Sequence, residues 1–263
     1  MKIDYFCLPP IVQSAIAGIA NAEFCQKMLN FGVGMVTLGG FSIDEKNTKA
    51  TKNIITRGRK EFLLPEETSD IKRWCEDNLH LKKSKKNQKI AMNLRIVEID
   101  LMSKSWLKLL SNFVDYFEIN AHCRQKEITE IGGGQALLTN VSYLEELLEK
   151  IRLLSKNAKI GIKIRGNVVD NIFNLIEILE RNDCDYIHID AMIPGKKQAD
   201  FGLIRKFSNN TNIPIIGNNL VRNISDVHQM LSVGAKAVSI ARPLIDNPAF
   251  MEDLVAEYLK VGR

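Results

Sequence analysis

The sequence predicts a single (β/α)8 TIM barrel, and three observations carry that expectation. Short apolar runs rich in branched residues alternate with longer segments whose apolar residues recur every three or four positions, the rhythm of repeated β-α units. Eight strand candidates can be counted along the chain. The 263 residues also match the roughly 250 that such a barrel commonly takes as one unit.

The predicted strands are PIVQSAIAG (10–18), GMVTLGG (34–40), KIAMNLR (89–95), YFEIN (116–120), KIGIKIR (159–165), YIHID (186–190), IPIIGN (213–218) and AVSIA (237–241). Between them the helical spacing predicts NAEFCQKML, PEETSDIKRWCEDNL, EIDLMSKSWLKLLSNF, VSYLEELLEKIRLLSK, VDNIFNLIEILERN, ADFGLIRKF and NISDVHQMLSVG, with a last helix from Asn247 to about Val261. Pro65 and the acids behind it suit a helix start, and Gly234 suits a helix end. The longest stretch without a period, Phe41 to Leu63, is expected to be a loop over the barrel mouth. No linker marks a second domain, so residues 1–263 are taken as one.

Apolar residues at 45% and charged residues at 25% are an ordinary globular balance and exclude disordered and fibrous classes. No apolar run approaches the roughly 20 residues of a membrane span, and MKIDYFCLPPIVQ lacks the apolar core of a signal peptide, so a cytoplasmic protein is expected. The five cysteines are scattered without a C-x-x-C pair, which points to neither a disulfide framework nor a metal site. The net charge of +5 is concentrated in LKKSKKNQK (81–89), which reads as a solvated loop or as a contact for RNA or another polyanion.

Barrels of this kind assemble their sites at the carboxyl ends of the strands. Those ends hold Ser14 and Ala15, Asn93 and Arg95, Asn120 and Cys123, Lys163 and Arg165, His188 and Asp190, Asn218 and Asn219, and Ala241 and Arg242. The seventh and eighth strand ends suit a phosphate: the Asn218-Asn219 pair tolerates a left-handed turn, Ala241 permits close approach, and Arg242 offers a charged fork. Lys163 lies in an otherwise apolar strand, where a buried ammonium needs an anion or an electron-rich group; a ligand is one answer and an ion pair with Glu118 or Asp190 the other. Cys123 could act as a nucleophile or as a proton donor, with His122 pointing away if the loop is extended. Gly132 to Gly134 lack the G-K-[ST] of a P-loop and are expected to let the backbone pass a ligand or turn sharply.

From about Gln13 to Phe250 these residues resemble the flavin-dependent tRNA-dihydrouridine synthases and, more distantly, the dihydroorotate dehydrogenases, with the short archaeal-type relatives the nearest in kind. SAIAGIANAEF follows A-P-M-A-G-V-T-D-x-P-F, MNL follows V-Q-L with Asn93 for the glutamine, and IKIR follows V-K-I-R. NAHCR and GGGQALL follow N-x-G-C-P and G-A-x-L-L, while IPIIGNN and GAKAVSIAR follow I-P-V-I-x-N-G and G-A-D-G-V-M-I-G-R. Three departures stand out. Arg124 replaces the proline after the cysteine, and YIHIDAM stands where the family ends its sixth strand H-G-R, with Ile189 in register with the histidine and His188 able to replace it only by a one-residue shift. The chain also stops about 20 residues after the last strand, short of the family's C-terminal helical tRNA-gripping domain.

The resemblance implies an FMN oxidoreductase that moves a hydride between the flavin and a uracil-like ring, with Cys123 handling the proton and NAD(P)H as reductant. It implies Cys123, Lys163 and Asn120 as catalytic; Ser14, Ala15, Asn93, Lys163, His188, Asn218, Asn219, Ala241 and Arg242 around the cofactor; and Arg165 and Arg124 on the substrate side. The implied substrate is a uridine in tRNA, helped by Lys82, Lys83, Lys85 and Lys86, or a free pyrimidine such as dihydroorotate. Two other readings are a flavin-free, phosphate-binding isomerase or lyase, and a non-catalytic barrel that binds RNA or a partner.

Overall fold

The structure, a computed structural model, describes residues 6–261; the first five residues of MKIDYFCLPPIVQ and the last two of the chain lie outside the described residues. Eight parallel strands close on themselves in sequence order: β1 (Ile11–Gln13), β2 (Met35–Ser42), β3 (Lys89–Arg95), β4 (Tyr116–Ala121), β5 (Lys159–Arg165), β6 (Tyr186–Asp190), β7 (Ile215–Asn218) and β8 (Ala237–Ile240). The helices around them are α1 (Ala22–Asn30), α2 (Glu45–Thr56), α3 (Thr68–Asn78), α4 (Leu101–Leu110), α5 (Lys126–Thr129), α6 (Val141–Leu154), α7 (Ile172–Arg181), α8 (Phe201–Ser208), α9 (Ile224–Ser232), α10 (Pro243–Asp246) and α11 (Phe250–Val261). The TIM barrel is therefore as expected, with β3, β5 and β6 on their expected bounds. No helix among the described residues is long and apolar enough to cross a membrane.

Each strand sorts its side chains by parity. In β4, Phe117 and Ile119 face outward into the main hydrophobic layer under the helices, while Tyr116 joins a small apolar layer with Val12, Met35, Tyr186 and Ile216. Glu118 and Asn120, in step with Tyr116, carry the buried polar hydrogen bonds described below. The helices match this with one apolar stripe each. Ile172, Leu175, Ile176 and Leu179 bury one face of α7, and Asn171 caps its start by accepting from the Asn174 N–H at 3.1 Å. Burying each such aliphatic side chain contributes about 1.5–3 kcal/mol before chain entropy is counted.

Two expectations are corrected. The segment from Phe41 to Leu63 is not one loop: β2 runs on to Ser42 and α2 follows. Its buried face is made of Asn47, Thr48, Ala50, Thr51 and Ile54, small and mostly polar residues that leave no apolar period to read. Asp44 starts this helix, accepting from the Asn47 N–H at 2.7 Å and from the Val97 N–H at 2.8 Å, which ties α2 to the end of β3. The non-helical remainder, residues 57–67, does reach the barrel mouth. The first strand is also shorter than expected, leaving the sheet after Gln13 so that Ser14 to Gly18 form part of the rim.

The lysine-rich loop precedes β3 and so lies at the amino-terminal end of the barrel, away from the strand ends where Cys123 sits. Lys83 is engaged there with Asp115 at 2.7 Å. The loop's charge is thus turned away from the cleft described next.

Candidate functional site

At the carboxyl ends of the strands lies a cleft of about 380 Å³, within the usual range for a small-molecule site. It is lined by Ala15, Gly40, Asn93, Asn120, Cys123 and Lys163 toward its floor, and by Arg59, Glu61, Arg124, Arg165, Asp190 and Arg242 toward its rim. Asn218, Ala241 and Arg242 also line a second cavity of about 340 Å³, formed by residues 218–222 and 239–243 with Asp246. The two cavities therefore adjoin and share a wall.

A chain of hydrogen bonds builds the floor. Glu118 is fully buried; its carboxylate accepts from Asn93 Nδ2 at 2.7 Å, from His188 Nδ1 at 2.7 Å and from the Tyr186 hydroxyl at 3.1 Å. Asn120 Nδ2 donates to Asn93 Oδ1 at 2.8 Å, and Asn120 Oδ1 accepts from the backbone N–H groups of Cys123 at 2.8 Å and His122 at 3.1 Å. Burial alone would raise the Glu118 carboxyl, but these donors and the nearby Lys163 charge outweigh it and hold the group ionised. Burial, reinforced by Lys163, lowers the His188 imidazole, so His188 is neutral: Nδ1–H donates to Glu118, and Nε2 accepts from the Ser239 hydroxyl at 2.6 Å.

Lys163 Nζ donates to Ser14 Oγ. Burial lowers its ammonium from the ordinary value, against the pull of Glu118 and Asp190. Among the described residues Lys163 makes no direct ion pair with Glu118 or Asp190, whose charges act on it from nearby, and its side chain lines the cleft. His188 and Ser14, expected beside a cofactor, are buried beneath the cleft rather than among its lining residues; they brace Glu118 and Lys163 from below. Ala15, Asn93, Asn218, Ala241 and Arg242 line it, as do Arg165 and Arg124.

Above the floor, His122 Nε2 lies 2.8 Å from Asp190 Oδ2, and Arg165 Nη1 lies 3.3 Å from the same oxygen. Burial pushes His122 down to about 4, so the ring is neutral; its Nε2 also lies 3.2 Å from Arg165 Nη2, and in the tautomer that carries the proton on Nε2 it donates to Asp190. Burial would raise Asp190, but the His122 hydrogen bond and the Arg165 and Lys163 charges hold it at about 2. The sequence expectation is that His122 points away from Cys123 if the loop is extended; the loop is bent, and the ring partners Asp190 and Arg165 rather than the thiol. It turns into the cleft because Asn120 draws the two following N–H groups onto one oxygen, bending the chain there.

The glycine run supports the cysteine rather than a ligand. Gly134 has φ +57, and a Cβ there would collide with the carbonyl of Cys123, which accepts from the Gln135 N–H at 2.8 Å. Cys123 is half-buried, whereas the other four cysteines are buried. Among the described residues no cluster of side chains suits a metal.

Sequence reasoning missed the reach of Glu118, which it held only as a partner for Lys163. The signal was present: Glu118 and Asn120 share a parity in YFEIN, just as Lys163 and Arg165 do in KIGIKIR. Arg59 and Glu61 gave no local signal. They come from the segment after α2, where Glu61 Oε2 lies 2.9 Å from Arg95 Nη1, a buried ion pair across the cleft wall.

At the phosphate-suited end, Asn219 has φ +116 and is buried; its Oδ1 accepts from Arg242 Nη2 at 3.3 Å, and its Nδ2 has no partner among the described residues. A buried amide donor left open beside an arginine fork is the arrangement a phosphate would complete.

The family described as Dihydrouridine synthase (Dus) matches residues 70–261. An uncharacterized protein of Methanocaldococcus jannaschii is 35% identical over 240 residues, covering 89% of each chain. The tRNA-dihydrouridine synthase B of Vibrio parahaemolyticus is 22% identical over 273 residues, spanning 100% of this chain and 76% of its own. A DHODH of Eimeria tenella, solved in complex with ferulenol, shares the fold with a TM-score of 0.71 at 14% identity, over 96% of this chain and 81% of that one.

Proposed function

Because the chain belongs to the dihydrouridine synthase family, we propose that it is an FMN-dependent oxidoreductase acting on the carbon–carbon double bond of a uracil-like ring. The observation that carries this reading is the adjoining pair of cavities. The larger is lined by Lys163, Asn120 and Cys123, and the smaller by the Asn219 turn and Arg242, as a flat ring joined to a phosphate requires. The open Nδ2 of Asn219 supports the fit, since it is buried and has no acceptor among the described residues.

FMN, when bound, supplies the two-electron chemistry at its ring. In this reading Arg242, Asn219 and the backbone around Ala241 hold the phosphate, and Ala15 and Asn93 flank the ring. Lys163, fixed by Ser14, presents positive charge where negative charge develops on a reduced ring. Cys123 exchanges a proton with the substrate carbon next to the one that takes the hydride, a role for which a thiol that ordinarily keeps its proton near neutrality is suited. Asn120 positions Cys123 through the backbone bond described above. NAD(P)H is the reductant, and the ring belongs either to a free pyrimidine or to a uridine in RNA.

The test is the visible spectrum of the purified protein, before and after added FMN, followed by NADPH without oxygen. Flavin bands that bleach support the reading. A colourless protein that refuses FMN overturns it and favours the flavin-free, phosphate-binding barrel. Cys123→Ala is expected to keep the flavin bands and slow reoxidation by a pyrimidine substrate by about a hundredfold or more; unchanged reoxidation would remove Cys123 from the proton step.

A further inference from the structure

Six cationic side chains and two carboxylates line the cleft. The carboxylates are already engaged, Glu61 with Arg95 and Asp190 with Arg165 and His122. Lys163 is matched by Glu118 from below, and Arg242 lies at the phosphate end with Asn219. Arg59 and Arg124 remain, both exposed at the rim; among the described residues neither has an ion-pair or hydrogen-bond partner. They cannot drift freely apart. Arg57 grips Glu127, at 2.8 Å in one of its bonds, and reaches Gln125 at 3.2 Å, which ties the segment bearing Arg59 to the loop bearing Arg124.

A second observation points the same way. Arg165 is 7% exposed and lines the same cleft, yet its Nε has no partner, and the charges of Arg124 and Arg242 add to burial in lowering it. Like charges gathered around an open, buried donor are costly unless an anion joins them. Arg124 also stands where the family motif has proline and His122 where it has glycine, so this corner departs from the motif.

We propose that the rim of the cleft is an anion subsite, in which Arg124 and Arg59, with Arg165 below them, read a carboxylate or phosphate carried by a small pyrimidine substrate. This rests on the flavin-and-pyrimidine reading of the cleft. A small substrate is favoured over RNA because Arg59, Glu61 and the His122–Asp190 pair line the mouth, while the lysine-rich loop lies at the other end of the barrel.

The experiment is calorimetric titration of the FMN-loaded protein with orotate, uridine 5′-monophosphate, uridine and an unmodified tRNA transcript, at low and moderate salt. Flavin content is read first from the spectrum, so that failure to hold FMN counts against the proposed function alone. The four titrations are run on the flavin-free protein in that event. One or both anionic pyrimidines are expected to bind about tenfold tighter than uridine or more, the carboxylate and phosphate arms showing which group is read. Arg124→Ala combined with Arg59→Ala should erase that preference with the flavin bands unchanged, and Arg124→Lys should keep most of it. Equal binding of uridine, an equal loss for all ligands in the double variant, or binding of tRNA alone with a steep salt dependence would each overturn the proposal.

Discussion

The side-chain oxygen of Asn120 accepts the backbone N–H of Cys123 at 2.8 Å, so the position of the thiol is set by an amide at the end of β4. The other end of that amide is fixed by Asn93, which is fixed in turn by Glu118. Asn120→Ala would release two loop N–H groups and leave Asn93 Oδ1 without its donor. The expected loss of stability is about 1–3 kcal/mol, read by urea denaturation. Flavin reoxidation should fall by a larger factor than flavin affinity. An equal fall in both would mean that Asn120 serves the cofactor rather than the cysteine.

Gly134→Ala tests the same loop from behind. The residue has positive φ and its new methyl group would meet the Cys123 carbonyl, whereas Gly132, also at positive φ, has nothing within 4 Å. Both variants should lose about 1 kcal/mol to backbone strain, and only Gly134→Ala should lose more and shift the thiol. Because Cys123 alone among the cysteines is not buried, its rate of labelling by a thiol reagent in the native state is the readout. Equal labelling in the two variants would show that Gly134 does not hold the loop.

The barrel and the gathering of polar residues at its carboxyl end were legible because both depend on parity and period. Lys163 stood out as a charge on the inner parity of an apolar strand, and Cys123 and Asn120 by their place after the fourth run. What sequence could not give was anything decided by pairing between distant segments. The helix α2 buries threonines and an asparagine, so its period is invisible; Glu61 finds Arg95 only through the path of the chain after that helix. Where His122 points was open for a similar reason, since its orientation depends on one Asn120 oxygen and on Asp190 two strands away.

Glu61→Gln should be more damaging than an exposed charge change. Arg95 and Glu61 are 5% and 1% exposed at their side chains, and Arg95 Nε already lacks a partner. Removing the carboxylate would leave a buried guanidinium uncompensated, at a cost of about 3–5 kcal/mol. The same change should free residues 57–67 from the mouth, so limited proteolysis is expected to cut within that segment before the barrel unfolds. A variant as stable and as resistant as the parent would mean that the ion pair does not anchor the segment.

The His122 imidazole sits at about 4 in the folded protein against 6.5 ordinarily. Below 6.5 the unfolded chain takes up a proton that the folded chain does not, so stability is complete above about 6.5 and falls as the pH is lowered toward 4. Beneath 4 both states carry the proton and this loss stops growing. His188, also lowered, acts in the same direction, so His122→Asn should flatten the fall only in part. The slope attributable to His122 is at most about 1.4 kcal/mol per pH unit, read by denaturation at intervals between pH 4 and 7. Asp190 is lowered instead, to about 2 from 3.8, so its contribution persists through this window and is lost only under stronger acid. A pH profile unchanged by His122→Asn would show that the ring takes up its proton in the folded state, and that the contact with Asp190 is then an ion pair rather than a neutral hydrogen bond.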